Sequence, residues 1–549
     1  MKRSWQYKLF LLGVGSSFLG ITSFGQRDTT KPRNVEISST FKPMLRGAAK
    51  INLNATPPLV DTTKPKLQYN IPNENLLFAY QPGSLKPLAL EVDTGGRWDN
   101  SSYIKAGFGS LKTPFVQAGI SFGDGKTAGL NIYAKHVASQ GKKEFQDFSH
   151  TNVALSGFFQ TSKNLEWDAK LGMISDITYK YGFVPESLNF PKDSLKQNFQ
   201  TWQGRVSFHN IQPTSFGLSY SPEVKIDVFN DNHSNNESNT YVNLPLRKTV
   251  GHHFAIDLGL TFDLTRYKPS GKTAINNTMY DIAPSVTFKS NSFSIMGGIR
   301  PTWDTRTTKI YPNIMAEIGT PDQRFTVIAG WTGYLRKTSY ESLAAYNPWI
   351  FAPTQLKNTG IEERYVGIKG SLEDHFSYQA KLGFNKLTNQ PLFVNDTASG
   401  KSFIVLNESQ MKVLHMGGDV AYNVGEKFSL SAGLTINHYS NLHDNAKAWG
   451  LIPLEVKSAM RLQILKDLFL TSDLFVWDRV PYRKKDGSSD LLKGAADLNA
   501  GLEFQITKNF KAWTQFNNIF NRQYQRWNQY PVYGFNFLAG IIFAFDQKN

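Results

Sequence analysis

The sequence predicts an all-β fold: a transmembrane antiparallel β-barrel of about 22 strands, preceded by an irregular N-terminal extension. Three observations predict it. The chain opens on an export leader, its later part alternates apolar and polar residues with period two, and its connections are short on one side and long on the other.

The leader comes first. Met1-Lys2-Arg3 begins a basic stretch that runs to Lys8, an apolar run follows from Leu9 to Ile21, and Ser23-Phe24-Gly25 supplies small residues for cleavage before Gln26. Residues 1–25 are therefore read as a signal peptide, too short in its apolar part to span a bilayer comfortably. The chain has no cysteine, which excludes a lipoprotein, disulfides and thiolate metal sites.

Mean hydropathy is negative, and no later segment carries the roughly 18 consecutive apolar residues of a membrane helix. Yet aromatic residues make up 13% of the chain. Modest hydropathy with abundant, dispersed aromatics is the profile of an outer-membrane barrel. The formal charge is +16, and about +13 once Lys2, Arg3 and Lys8 leave with the leader. Nucleic acid is not an expected partner of an exported chain. Outer-membrane lipid, lipopolysaccharide or an anionic solute would suit the charge, although surplus lysine in lumen and loops is the preferred reading.

Residues 26–100 differ in texture. They are rich in Pro, Thr and Asn, and Asp28-Thr29-Thr30-Lys31-Pro32 recurs as Asp61-Thr62-Thr63-Lys64-Pro65. This segment reads as extended and irregular, periplasmic or luminal, without a core of its own.

Residues 101–549 read as the barrel. Phe254, Ile256, Leu258, Leu260, Phe262 and Leu264 alternate with Ala255, Asp257, Gly259, Thr261, Asp263 and Thr265. The same pattern sets Ala496 to Ile506 against Asp497 to Thr507, and Leu165 to Ile177 against Glu166, Asp168, Lys170 and Asp176. Near the end, Phe535, Phe537, Ala539, Ile541, Phe543 and Phe545 share one face. Period two means strand. Alternation suits a soluble sandwich as well as a barrel; the connections separate them. Tight turns are read at 123–126, 162–164, 212–215, 251–253, 291–292, 321–323, 373–375, 425–427, 466–467 and 507–509. Long connections are read at 183–197, 230–239, 340–360, 438–446 and 481–492. Such asymmetry is that of periplasmic turns and external loops, and ten turns imply about 22 strands with both ends periplasmic.

Several residues invite a chemical reading. Gly123-Asp124-Gly125-Lys126-Thr127 ends like a phosphate loop, but Ile120 replaces the first glycine, and a hairpin turn is preferred. His252 and His253 point to opposite sides of extended chain, so a polar turn is preferred to a metal site. Asp168, Asp176, Asp257, Asp263, Asp497 and Glu503 lack a nucleophile grouping and are read as luminal, in a network with Lys170, Arg205 or Arg266. The loop Ala345-Tyr346-Asn347-Pro348-Trp349-Ile350-Phe351 either binds a ligand or folds over the barrel mouth. Trp513, Tyr524, Trp527, Tyr530 and Tyr533 are read as an outer aromatic girdle. No catalytic, cofactor-binding or metal-ligating residue is assigned, and the chain is not read as an enzyme.

The closing segment resembles the C-terminus of TonB-dependent outer-membrane receptors. It carries Asn518-Ile519-Phe520-Asn521-Arg522-Gln523-Tyr524, then Tyr530-Pro531, then the final apolar strand. Tyr346-Asn347-Pro348 and Lys357-Asn358-Thr359-Gly360-Ile361-Glu362 are similar to a loop and strand start of those barrels. The resemblance implies a 22-strand receptor-type wall over residues 100–545. Such receptors carry a folded plug longer than the 26–100 segment. Val532-Tyr533-Gly534-Phe535 replaces the usual Pro-Gly-Arg strand start, and Asn34-Val35-Glu36-Ile37-Ser38 is a poor TonB box. The chain thus resembles plugless relatives of the Bacteroidetes, which leaves coupling to TonB in doubt. Expected functions are solute uptake across the outer membrane or, alternatively, a non-transporting barrel subunit of an export, assembly or surface-anchoring complex. In both cases residues 26–100 or another envelope protein would block the lumen.

Overall fold

The computed structural model describes residues 101–546, apart from 163, 184–189, 321, 323, 373, 374 and 426. The leader, its cut before Gln26, the 26–100 segment and the weak TonB-box stretch at 34–38 lie outside the described residues.

Each long strand pairs antiparallel with the next, and the first closes on the last. Ser101–Gly109 pairs with Asn536–Asp546 from Ser101↔Asp546 to Gly109↔Leu538. The sheet is therefore a closed barrel without an edge. Of its 23 hydrogen-bonded segments, Leu218–Tyr220 and Glu223–Asp231 both pair with Asn236–Val250. They are one crossing, interrupted at Ser221-Pro222, where proline cannot donate to the ladder. The wall thus has 22 crossings.

All ten tight turns fall between consecutive strands, at the end of the barrel that also holds Ser101 and Asp546. One long connection does not hold. The 230–239 stretch is strand on both sides of a short turn, with Asn230↔Asn236 and Phe229↔Glu237 paired. The Asp231 carboxylate accepts N–H bonds from His233 and Asn235, each at 2.9 Å, which tightens that turn. The long-loop end also has short connections at 110–112 and 305–307. Conversely, the long connection at 389–410, with its hairpin Gln390–Asn395 and Phe403–Glu408, escaped the sequence reading. Its polar ends and central glycine hide two brief apolar runs.

The wall obeys the predicted alternation. On the last strand Phe537, Ala539, Ile541 and Phe543 face outward, while Leu538 and Ile542 are buried on the inside. Exposed Phe254, Ile256, Phe262, Leu264, Val286 and Ile314 continue the apolar outer face on other strands. Around the short-turn end, outward rings cluster. Phe288 lies 5.0 Å from Phe254 and 5.4 Å from Phe293, and Phe510 lies 4.9 Å from Phe543. An apolar exterior with an aromatic rim and a charged interior is the arrangement of a membrane-spanning barrel.

The inner wall is a lattice of polar pairs. Asp257 meets Arg247 at 3.5 Å and accepts from Thr287 at 2.9 Å. Asp263 meets Lys337 at 3.0 Å, Glu503 meets Lys105 at 3.3 Å, and Asp176 meets His150 at 2.5 Å. Asp497 accepts from the Tyr524 hydroxyl at 2.6 Å. A part-exposed pair such as Asp257 with Arg247 contributes up to about 1 kcal/mol, so such pairs set the lumen's charge pattern more than they hold the wall. The predicted network needs two corrections. Arg205 pairs instead with Glu223, at 2.8 Å. Arg266 is exposed on the outward face it shares with Phe262 and Leu264, because its strand position has their parity.

The predicted aromatic girdle is also corrected. Trp513, Tyr524, Trp527, Tyr530 and Tyr533 are all at most 9% exposed. Trp513 lies on the inner face, packed edge-on to Phe115 at 5.3 Å with the Lys105 ammonium 4.4 Å from its ring. The other four belong to the connection at 518–535, which turns inward over the mouth.

Candidate functional site: the loop cap

The long-loop end carries the one large aromatic core among the described residues. It draws on the connections at 180–195, 337–358, 389–410 and 518–535 and on the upper ends of neighbouring strands.

The helix Tyr340–Tyr346 starts it. Ser339 and Ser342 form a reciprocal capping box. The Glu237 carboxylate, buried at the same helix end, accepts from the N–H groups of Tyr340 at 2.6 Å and Glu341 at 3.0 Å. A carboxylate there satisfies two orphan donors. The helix buries Tyr340, Leu343, Ala344 and Tyr346. Tyr340 packs on Phe199, Phe229 and Tyr267, and its hydroxyl donates to Asp231 at 2.7 Å.

The ambiguous aromatic loop folds over the mouth. Tyr346 and Ile350 are buried, Trp349 is half-buried and Phe351 is exposed. Trp349 stacks on Tyr530 with ring centroids 3.9 Å apart, and backbone bonds at 2.9 Å tie residues 349 and 351 to Phe403. Trp527 sits edge-on to Tyr346, Phe393 and Phe403, 5.2 to 5.4 Å from each. Each such pair adds about 0.5–1.5 kcal/mol beyond its burial. A second cluster, with Leu392, Val394, Ala448, Trp449 and Leu451, joins the 441–453 connection to the same hairpin.

Inside this core sit two cations with no carboxylate bonded to them among the described residues. Lys401 is 1% exposed. Its ammonium donates to the carbonyls of Gly182 at 2.6 Å and Gln529 at 3.2 Å. The rings of Phe183 and Tyr530 lie 5.1 and 5.0 Å away, and burial pushes the amine down to about 7. Arg526 is 3% exposed. One terminal nitrogen donates to the Tyr346 hydroxyl at 2.7 Å and the Gly450 carbonyl at 3.0 Å. Its guanidinium lies 4.2 Å from the Trp527 ring. Its Nε and Nη1 have no hydrogen-bond partner. In the chain, Asn347 follows Tyr346 and Trp449 precedes Gly450, and Asn347 Nδ2 and Trp449 Nε1 are likewise buried and unbonded. All four are donors, and buried donors favour an acceptor or an anion.

The remaining sequence candidates lie elsewhere. Asp124 accepts from the N–H groups of Lys126, Thr127 and Ala128 at 2.9, 2.8 and 3.0 Å, a hairpin turn rather than a phosphate loop. His252 and His253 occupy an exposed turn, where His253 Nδ1 bonds to the Lys289 carbonyl at 3.0 Å. Asp168 meets His209 at 3.7 Å, and Glu166 meets it at 3.9 Å, on the inner wall near the short-turn end. These three offer ligand atoms within 4.8 Å of one another, and Gln160 already holds Glu166 at 3.0 Å. Lys401 and Arg526 were not singled out by sequence. A lone basic residue in a polar or aromatic loop carries no mark of its burial.

No family model and no curated protein matches the chain. Solved structures do. The FrpB iron transporter from Neisseria meningitidis (F5-1 variant) superposes with a TM-score of 0.63 at 10% identity, over 82% of this chain and 83% of that one. The siderophore receptor PirA from Acinetobacter baumannii gives 0.62 at 10% identity, over 81% and 80%. The ferric-catecholate import receptor Fiu from K12 E. coli gives 0.61 at 11% identity, over 82% of each chain. At such identities the likeness is one of fold, and the fold is a barrel like that of TonB-dependent receptors.

Proposed function

We propose that the protein is an outer-membrane uptake barrel whose loop cap admits an anionic solute. Its 22-strand wall is similar to those of import proteins, and its inner wall carries charged pairs such as Asp257 with Arg247 and Glu503 with Lys105. The carrying observation is Arg526, a buried guanidinium in the cap with Nε and Nη1 unbonded. An anionic group arriving from the loop side would satisfy both. Residues 26–100 serve in place of a full plug, periplasmic or luminal, after removal of the leader. No reaction is assigned to the barrel.

Swelling of proteoliposomes tests this reading. The full chain is expected to admit small carboxylates or phosphates faster than neutral solutes of equal size. Arg526→Gln should abolish that preference while the barrel still migrates as folded on unheated gels. Equal rates for both solute types would remove the anionic reading. A densely packed cap also suits a docking surface, which favours a second reading: a non-transporting subunit of an export, assembly or anchoring complex. Absence of any permeability, with stable co-purification of other envelope proteins in mild detergent, would select it.

A further inference from the structure

Five adjacent strands carry an unusual stretch of the outer wall: Thr326–Arg336, Thr359–Leu372, Phe376–Thr388, Met411–Val424 and Phe428–Ser440. Their register aligns Trp331, Arg364, Phe384, Leu414 and His438 in one row. One step toward the long loops, Glu362, Lys386, Lys412 and Ser440 form the next row. Both rows face outward, since Trp331, Phe384 and, below them, Val366 and Met416 are exposed on the same parity.

Charge is distributed unevenly along these rows. Glu362 is already engaged, by the Trp331 indole N–H at 2.9 Å and by Arg364 at 3.3 Å. Arg364 also covers the Trp331 ring at 4.9 Å. Lys386 and Lys412 stand directly opposite each other on paired strands, both exposed, with no ion pair among the described residues. Like charges so placed repel. On the membrane-facing side of a barrel they call for an anion.

Directly below lie two adjoining open grooves of about 360 and 410 Å³. Val366 and Leu382 line both; Ile368 and Met416 border one, and Trp331 and Phe384 the other. Small outward residues make the depressions: Ala329 and Ala380 sit where longer side chains would fill them.

We propose that this face binds one phosphorylated, multi-acyl glycolipid of the lipopolysaccharide type. Lys386, Lys412 and Arg364 hold its phosphates, and the grooves below take its acyl chains. Basic side chains at the upper rim of an apolar band match a lipid with anionic charge at the water boundary and several chains beneath it. Trp331 and Glu362 act as positioning residues for Arg364. The inference rests on the membrane placement proposed above, with the long loops outward, and not on transport.

The test uses the full chain purified in mild detergent and titrated with bisphosphorylated lipid A, dephosphorylated lipid A or phosphatidylglycerol, with bound lipid read by native mass spectrometry. Wild type should bind bisphosphorylated lipid A most tightly. The double variant K386Q/K412Q should lose about tenfold or more of that affinity, with unheated gel mobility unchanged. Equal affinity of wild type and variant, or equal binding of phosphatidylglycerol, would overturn the site while leaving the membrane reading intact. Fractionation of the expressed chain away from outer membranes would overturn the membrane reading as well.

Discussion

Lys401 is a primary amine buried among carbonyls and aromatic rings, and its chemistry makes the cap sensitive to pH. Its amine is held down to about 7, whereas a solvated lysine titrates near 10.4. Opening the cap therefore takes up a proton between those values. Linkage gives the sign: the closed cap gains stability as pH rises from about 7 toward 10, and loses that gain as pH falls back through 7. Hydrogen exchange at 389–410, corrected for intrinsic rates, should show fewer openings at pH 9 than at pH 7. Lys401→Met should flatten the difference; a slope that survives in the variant would assign it to another group. Few of these residue roles were legible beforehand. The luminal acids were, because their parity on apolar strands placed them. Lys401, Arg526 and the buried Tyr530 were not, because loop side chains have no periodicity to give their direction.

At the scale of elements, two places bear most on the structure. The seam between first and last strands depends on close approach. Gly107 and Gly540 are register partners, and a Cβ on Gly540 would meet the Ala106 carbonyl oxygen at 2.0 Å and Gly107 Cα at 2.6 Å. Both obstacles are backbone and cannot rotate away. Gly540→Val is expected to prevent closure, read as loss of the fast-migrating folded band on unheated gels; a normal band would show that the seam can part. The hairpin Gln390–Asn395 with Phe403–Glu408 is the keystone of the cap, with Leu392, Phe393 and Phe403 at most 2% exposed. Phe393→Ala should cost about 3–5 kcal/mol of cap stability. The expected readout is faster proteolysis within the loops while the barrel survives; an unchanged rate would mean that the hairpin is not what holds the cap. Strands and tight turns were readable because period two and turn residues are local signals. The hairpin was not, since its apolar runs are brief and their partners lie on other loops.

At the scale of the whole molecule, a wide barrel meets a closed mouth. A 22-strand wall encloses a lumen too wide for its own side chains to fill, and the described loops pack over one end of it. Replacing residues 391–407 by a short Gly-Ser linker should therefore raise conductance in planar bilayers above that of the full chain. No change would place the barrier elsewhere, in a partner or in residues 26–100. The sequence by itself determined the class of the wall: strand number, inward acids, an apolar exterior and one end with tight turns. Those follow from neighbours along the chain, where side-chain parity and turn chemistry are local. Only the tertiary structure decided that Trp527 and Tyr530 turn into the cap, that Lys401 and Arg526 are buried beside them, and that Lys386 faces Lys412 on the outer wall. Each of these depends on register and packing between segments far apart in the chain, which no local pattern encodes.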